Sequence, residues 1–335
     1  MKIGVLGAGS WGIALTALLS GNGHEVTVWS IDKDEIAMLK EYREHKTKLP
    51  GVIVSGNVDF TTVPEEAVTG AQLLVMVVPS PFIRSTAKTI APFVSKDQVI
   101  VNVSKGIEEE TLMTLTEVIS SEIPQVEVAV LSGPSHAEEV GKRMPTTVVA
   151  GSTNKKIADL IQDVFMSDFF RVYTSPDVIG IELGGALKNV IALAAGMADG
   201  LGCGDNTKAA IITRGISEIS RLGVAMGGKV ETFAGLSGIG DLIVTCASAH
   251  SRNRNAGYLI GQGKTYKEAM DEVKMVVEGV YSAKAAMLLS KKYDVHMPMV
   301  ETINKVLFED LKASEAMKQL LGRNKTAEAV SLTWQ

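Results

Sequence analysis

The sequence is poor in the features that stabilise or localise a protein by special means. Only two of its 335 residues are cysteine, Cys203 and Cys246, too few for a disulfide framework; this points to a reducing compartment and a cytoplasmic protein. The five histidines are scattered, and no HExxH or His/Cys cluster occurs, so no metal site is expected. A basic surplus is also lacking: 33 Lys+Arg face 38 Asp+Glu, for a formal net charge of −5. That balance argues against nucleic acid as the main partner. No charged leader with a following apolar run precedes Ile3, so no secretory signal is expected. The most apolar stretch, Val190 to Met197, lies in a segment interrupted by Glu182, Gly184, Gly185 and Lys188, which predicts a buried core helix and not a membrane span.

What the chain does have is order in its apolar runs. From Lys2 to about Ala150, short Val/Ile/Leu-rich runs alternate with segments of helical period, the pattern of a parallel sheet covered by helices. The expected strands are Ile3–Leu6, Val26–Trp29, Leu73–Val78, Val99–Val103, Val128–Leu131 and Thr147–Ala150, with helical segments such as Thr111–Ser120 between them. Beyond Pro176 the period becomes helical: one long helix over Val178–Ala198, then Lys208–Leu222, Tyr266–Val273, Tyr281–Lys291 and Val300–Leu307. The fold class is therefore α/β, with an N-terminal Rossmann-type parallel sheet domain over residues 1–176 and an all-helical C-terminal domain over 177–335. The boundary falls at Ser175-Pro176-Asp177, where proline breaks one element and Asp or Ser caps the next.

Gly7-Ala8-Gly9-Ser10-Trp11-Gly12 follows the first strand and opens an apolar helix, Ile13 to Leu19. Gly7 permits the sharp bend and Gly9 the close approach of a pyrophosphate. Gly12 lets helix and strand pack, and the helix start offers amide donors to a bound NAD or NADP. Past the second strand the signal divides: Asp32 could accept from a ribose hydroxyl, favouring NADH, while Lys33 could neutralise a 2′-phosphate, favouring NADPH.

Four further places combine charge with apolar or glycine-rich surroundings. Ser104-Lys105-Gly106 stands at a strand's carboxyl end, where open parallel sheets bind ligands. Leu131 to Glu138 (LSGPSHAE) is another strand end leading into a helix; its His136 has no orienting carboxylate in the sequence and is left out of the catalytic set. Lys188 sits in the small-residue helix of Gly184 to Ala192, where burial would lower its pKa and suit it to give a proton to a developing alkoxide. Asp241 and Thr245, at i and i+4, share a helix face, and Ser251-Arg252-Asn253 presents hydroxyl, guanidinium and amide groups suited to a phosphate.

With LGAGSWG, VSKGIE, LSGPSHAEEV, IELGGALKNVIALAAG, LSGIGDLIVTC, HSRNRNAG and MVVEGV in this order, the chain resembles the bacterial NAD(P)-dependent glycerol-3-phosphate dehydrogenases over nearly its whole length. The resemblance implies reversible reduction of dihydroxyacetone phosphate to sn-glycerol 3-phosphate, the phospholipid backbone precursor, in an enzyme that is often a homodimer. It implies that Ser10, Trp11, Lys105, Ala137, Arg252, Val276 and Glu278 meet the dinucleotide. Lys105, Gly133, Ser135, Lys188, Asp241, Ser251, Arg252 and Asn253 would line the substrate, with Lys188 the proton donor and acceptor. Where many members carry a basic residue or histidine after the second strand, this chain has Ile31-Asp32. A dehydrogenase of the β-hydroxyacid group, which also places a lysine on a long helix, would instead clamp a carboxylate.

Overall fold

The computed structural model describes residues 1–324 and Glu328. Eight strands form one sheet: β1 (Lys2–Leu6), β2 (Glu25–Trp29), β3 (Val58–Thr61), β4 (Leu73–Met76), β5 (Val99–Asn102), β6 (Glu127–Ser132), β7 (Thr146–Gly151) and β8 (Phe170–Ser175). Their order is β3-β2-β1-β4-β5-β6-β7-β8, and every neighbouring pair is parallel except β6 with β7. The chain therefore reverses direction about β1, moving first to β2 and β3 and then back past β1 to β4. That switch point lies beside the glycine turn and opens the crevice in which doubly wound sheets bind ligands.

Alternation along the strands divides the core. Ile3, Val5, Leu73, Val75, Val99 and Val101 pack on one face, while Leu6, Leu74, Met76 and Ile100 pack on the other. Both sets are buried because helices cover both faces, and this is why the strands read as nearly continuous apolar runs.

The six expected strands are present, and two more join them. β3 and β8 were missed because they are not apolar runs: Val58-Asp59-Phe60-Thr61 and Phe170-Arg171-Val172-Tyr173-Thr174-Ser175 alternate as edge strands with one face toward solvent. The helix expected from Thr111 starts only at Leu115, because Thr114 and Glu117 form a capping box there and Leu112 has a left-handed backbone (φ 61°).

After β8, Asp177 caps the long helix Val178–Gly200 by accepting from the Gly180 amide. This helix has the length and hydropathy of a membrane span, yet 89% of its apolar window is buried inside the protein. The helices Asp205–Ala225, Asp241–Ala247, Arg252–Gly261, Glu278–Lys292 and Pro298–Phe308 follow it. The long helix and Arg252–Gly261 come unusually close. A Cβ on Gly196 would stand 2.0 Å from the Arg254 carbonyl oxygen, and one on Gly257 would stand 2.1 Å from that of Leu193. Gly196 and Gly200 on the long helix, with Gly257 and Gly261 on its neighbour, thus allow near backbone contact between the helix carrying Lys188 and the helix that Arg252 opens.

Candidate active site

The glycine turn has the geometry a pyrophosphate needs. Gly7 holds φ at +127°, open to glycine alone at little cost. A Cβ on Gly12 would lie 2.1 Å from the Gly7 carbonyl oxygen, whereas the space around Gly9 is open to 4 Å. Gly9 opens the helix Ser10–Gly21 with no side-chain cap, so the first-turn amides face outward from the crevice edge of β1. These residues fit a dinucleotide. Asp32, one of the two candidate readers of the ribose, already serves the fold, because its Oδ1 accepts from the amides of Asp34 (2.9 Å) and Glu35 (3.1 Å) and so caps the helix Lys33–Tyr42.

A chain of charges crosses from the sheet to the helices. Lys105, in the loop after β5, donates to the Gly133 carbonyl at 2.9 Å and meets Asp241 Oδ2 at 2.5 Å. Lys188 Nζ lies 2.8 Å from Asp241 Oδ1 and donates to Thr245 Oγ1 at 2.6 Å. Thr245 donates in turn to the Asp241 backbone carbonyl at 2.6 Å, the i to i+4 relation expected within one helix. Lys188 is only 6% exposed and Asp241 only 1%, so both charges are out of water and survive by pairing. The lysine does not snorkel to the surface.

Burial pushes the Lys188 ammonium down to about 8; Asp241 opposes this shift and Lys105 adds to it. Burial would raise the Asp241 carboxyl, but the Coulombic pull of Lys105 and Lys188 outweighs it and leaves the carboxyl below its usual range. The result is one anion shared by two cations, one of them close to the pH at which it changes charge.

Around this cluster the other expected residues fall into place unevenly. Gly133 carries the carbonyl that Lys105 holds, and Ser135 donates to the same carbonyl at 3.0 Å. Ser251 caps the helix Arg252–Gly261 by accepting from the Arg254 amide. Asn253 donates to Asn189, the neighbour of Lys188, at 3.0 Å and accepts from the Gly279 amide at 2.8 Å. Glu278, at the start of the helix Glu278–Lys292, accepts from the Ser80 amide at 3.0 Å and from its hydroxyl. Burial raises the Glu278 carboxyl against the pull of Ser80 and Arg252. Among the described residues no side-chain hydrogen bond ties Ser10, Trp11, Ala137 or Val276 to the lysine cluster; Ser10 and Trp11 open the helix Ser10–Gly21, Ala137 opens the helix Ala137–Gly141, and Val276 stands two residues before Glu278.

Four contributors were missed by sequence reasoning. Asn189 and Ser80 give no signal on their own, since an amide in a helix and a serine after a strand are commonplace. The Gly196/Gly200 and Gly257/Gly261 spacings were readable as close-approach faces on two helices, and Asp199, paired with Arg254 and Lys208, pins the same crossing.

Fold and site together are those of a nicotinamide-dependent dehydrogenase: a Rossmann sheet with its glycine turn, and a buried lysine on a long helix. Family models specify it further. That of the NAD-dependent glycerol-3-phosphate dehydrogenase N-terminus matches residues 2–158, and that of the C-terminus matches 177–318. The chain is 62% identical to glycerol-3-phosphate dehydrogenase [NAD(P)+] of Agathobacter rectalis, over 100% of this chain and 99% of the relative. To the Bacillus subtilis protein of the same name it is 51% identical, over 99% and 97%. A crystal structure of glycerol-3-phosphate dehydrogenase from Coxiella burnetii superposes with a TM-score of 0.93 at 35% identity, over 96% of this chain and 99% of that one. The chain belongs to the glycerol-3-phosphate dehydrogenase family.

Proposed function

We propose that Lys188 is the group that exchanges the proton as this chain carries out its family's reaction, the reversible reduction of dihydroxyacetone phosphate to sn-glycerol 3-phosphate with NAD(P)H. The observation that carries this reading is the buried Lys188–Asp241–Lys105 cluster, with Lys188 pushed down to about 8. A reduced nicotinamide along the crevice supplies the hydride. Lys188 gives its proton to the carbonyl oxygen as negative charge grows there, and takes it back from the alcohol in the reverse direction. Asp241 and Thr245 fix Nζ, while Lys105 adds positive charge beside the developing alkoxide.

Arg252 offers a bidentate fork to the substrate phosphate, and Ser251 and the first amides of its helix complete the shell. The glycine crossing supports this pairing of roles, because it fixes Arg252's helix against that of Lys188. Remote phosphate binding then orients the carbonyl, so dihydroxyacetone without phosphate is a very poor substrate. Gly133 and Ser135 border the substrate, and Ser10, Trp11, Ala137, Val276 and Glu278 border the dinucleotide. The division of labour follows a boundary at 176/177, a reading supported by the end of β8 at Ser175 and the Asp177 cap.

The deciding experiment compares initial rates with dihydroxyacetone phosphate and dihydroxyacetone in the native chain and in Lys188→Met. The substitution lowers turnover by roughly 10² to 10⁴, with dinucleotide affinity retained. Near-native turnover in Lys188→Met would assign the proton to another group, and equal rates on the two ketones would remove the phosphate site. We further infer a cytoplasmic homodimer, a reading supported by two free cysteines and by the family resemblance; sedimentation at the mass of one chain would refute the dimer.

A further inference from the structure

The loop from Leu131 to Glu138 supplies Gly133, Ser135 and Ala137 to the proposed site, and His136 stands among them without a role. Its backbone is fixed as the cap of the helix Ala137–Gly141, its carbonyl accepting from the Glu139 and Val140 amides at 3.1 Å each. Its side chain takes no part in that cap. The imidazole turns to the helical half of the molecule, where its ring centre lies 6.1 Å from that of His250 at a tilt of 55°. His250 directly precedes Ser251, the cap of the helix that Arg252 opens. A side chain from the sheet half therefore touches the entrance to the helix read above as the phosphate holder.

Two properties separate this ring from an ordinary packed histidine. Its Nε2 is enclosed and makes no hydrogen bond of normal length and geometry among the described residues, although the Val244 carbonyl stands close enough to the ring to bear on its charge. An enclosed nitrogen of this kind carries a standing cost unless some functional state gives it an acceptor. The second property is charge. Burial first, then Lys188 and Lys105, hold the ring's pKa below its usual value, with only Glu138 and the Val244 carbonyl opposing. A neutral imidazole offers an N–H without adding a third cation beside the two lysines, which would drive Lys188 toward its uncharged form. A phosphate gripped on two oxygens by a guanidinium fork keeps further acceptor positions for such a donor.

We propose that His136 is a further substrate-binding residue of this site, donating its Nε2–H to the substrate phosphate from the sheet side while Arg252 holds it from the helical side. The proposal rests on the reading of Arg252, Ser251 and the first amides of their helix as the phosphate holder. It makes the phosphate a bridge between the two halves of the molecule, with His250 packed against the ring that reaches across.

The test uses inorganic phosphate as a competitive inhibitor against dihydroxyacetone phosphate, together with calorimetric binding of sn-glycerol 3-phosphate. His136→Phe keeps a ring against His250 and removes the donor. It should weaken phosphate inhibition and sn-glycerol 3-phosphate affinity by about tenfold to a hundredfold and lower kcat/KM for dihydroxyacetone phosphate with them, while NADH affinity stays within about twofold of native. His136→Gln, which retains an N–H, should recover part of the loss. If His136→Phe folds poorly, His136→Met supplies the same loss of donor in a flexible side chain. Native phosphate inhibition in the Phe variant, alongside its loss in Arg252→Ala, overturns the role of His136 and leaves the phosphate reading standing. Native inhibition in both variants overturns the phosphate reading and this proposal with it. Loss of NADH affinity equal to the loss of phosphate affinity also overturns the proposal, since it would place His136 in the shaping of the dinucleotide loop.

Discussion

Replacing Asp241 with Asn removes the single negative charge between two amines while keeping the side chain's shape. In the native protein Lys188 Nζ lies 2.8 Å from Asp241 Oδ1, and Lys105 Nζ lies 2.5 Å from Oδ2. An opposite charge this close favours the charged form of its partner by about 1 to 3 pKa units. Without it, burial and the Lys105 charge both still press Lys188 downward from its native value of about 8. A fall of about two units lowers the ammonium fraction at pH 7.5 by roughly 20-fold. In kcat/KM for dihydroxyacetone phosphate reduction, measured from pH 6.5 to 9.5, the native descending limb should centre near 8 and that of Asp241→Asn below 7. The reverse reaction needs the free amine, so its ascending limb should move down by the same amount, and the variant's oxidation-to-reduction ratio at neutral pH should rise. General damage to the site lowers both directions together and moves neither limb. Identical limbs in the two proteins, or an upward shift, would refute the assignment of the titrating group to Lys188.

Other outcomes follow from the same geometry. Arg252→Lys replaces a fork by a point charge, so the KM for dihydroxyacetone phosphate should rise by about tenfold or more; an unchanged substrate KM argues against the phosphate contact. Gly257→Ala drives a Cβ to within 2.1 Å of the Leu193 carbonyl oxygen. Urea unfolding should show a loss of roughly 1 to 3 kcal/mol, accompanied by a raised substrate KM as Arg252's helix is pushed away from Lys188's. Native stability in this variant would mean that the helices are not held at that distance. Burial pushes the Glu218 carboxyl up to about 7 from its ordinary value of 4.5, although the amides of Met299 and Val300 act to lower it. A raised carboxyl contributes stability that is full below about 4.5 and lost as pH rises through about 7, on the order of 3 kcal/mol in all. Glu218→Gln should therefore flatten the decline in thermal stability between pH 5 and 8, and parallel curves for the two proteins would refute this.

The sheet was legible in the sequence where burial on both sides writes itself as apolar runs, as in Leu73 to Met76. It was illegible at β3 and β8, where one face meets solvent and the chain alternates polar with apolar residues. The capping of the long helix by Asp177 and of the helix Arg252–Gly261 by Ser251 was readable because those residue types have few other uses at such positions. Lys188 could be singled out because a lysine amid glycine, alanine and leucine must either escape to water or titrate abnormally, and only the structure shows that it stays. What sequence order conceals is distance between remote segments. Lys105 and Asp241 are 136 residues apart, and their contact depends on a loop after β5 reaching a helix beyond the kink at Gly238. Asp32 illustrates the converse: a carboxylate at the position expected of a ribose reader also satisfies two helix amides, so a motif position alone leaves its role undecided. The glycine pairs on the two crossing helices join these levels. They contribute no functional group, yet by letting two backbones nearly touch they fix the helix that Arg252 opens against the helix that carries Lys188. Under the proposed roles of Lys188 and Arg252, residues that never meet the substrate would set in part the length that the site accepts.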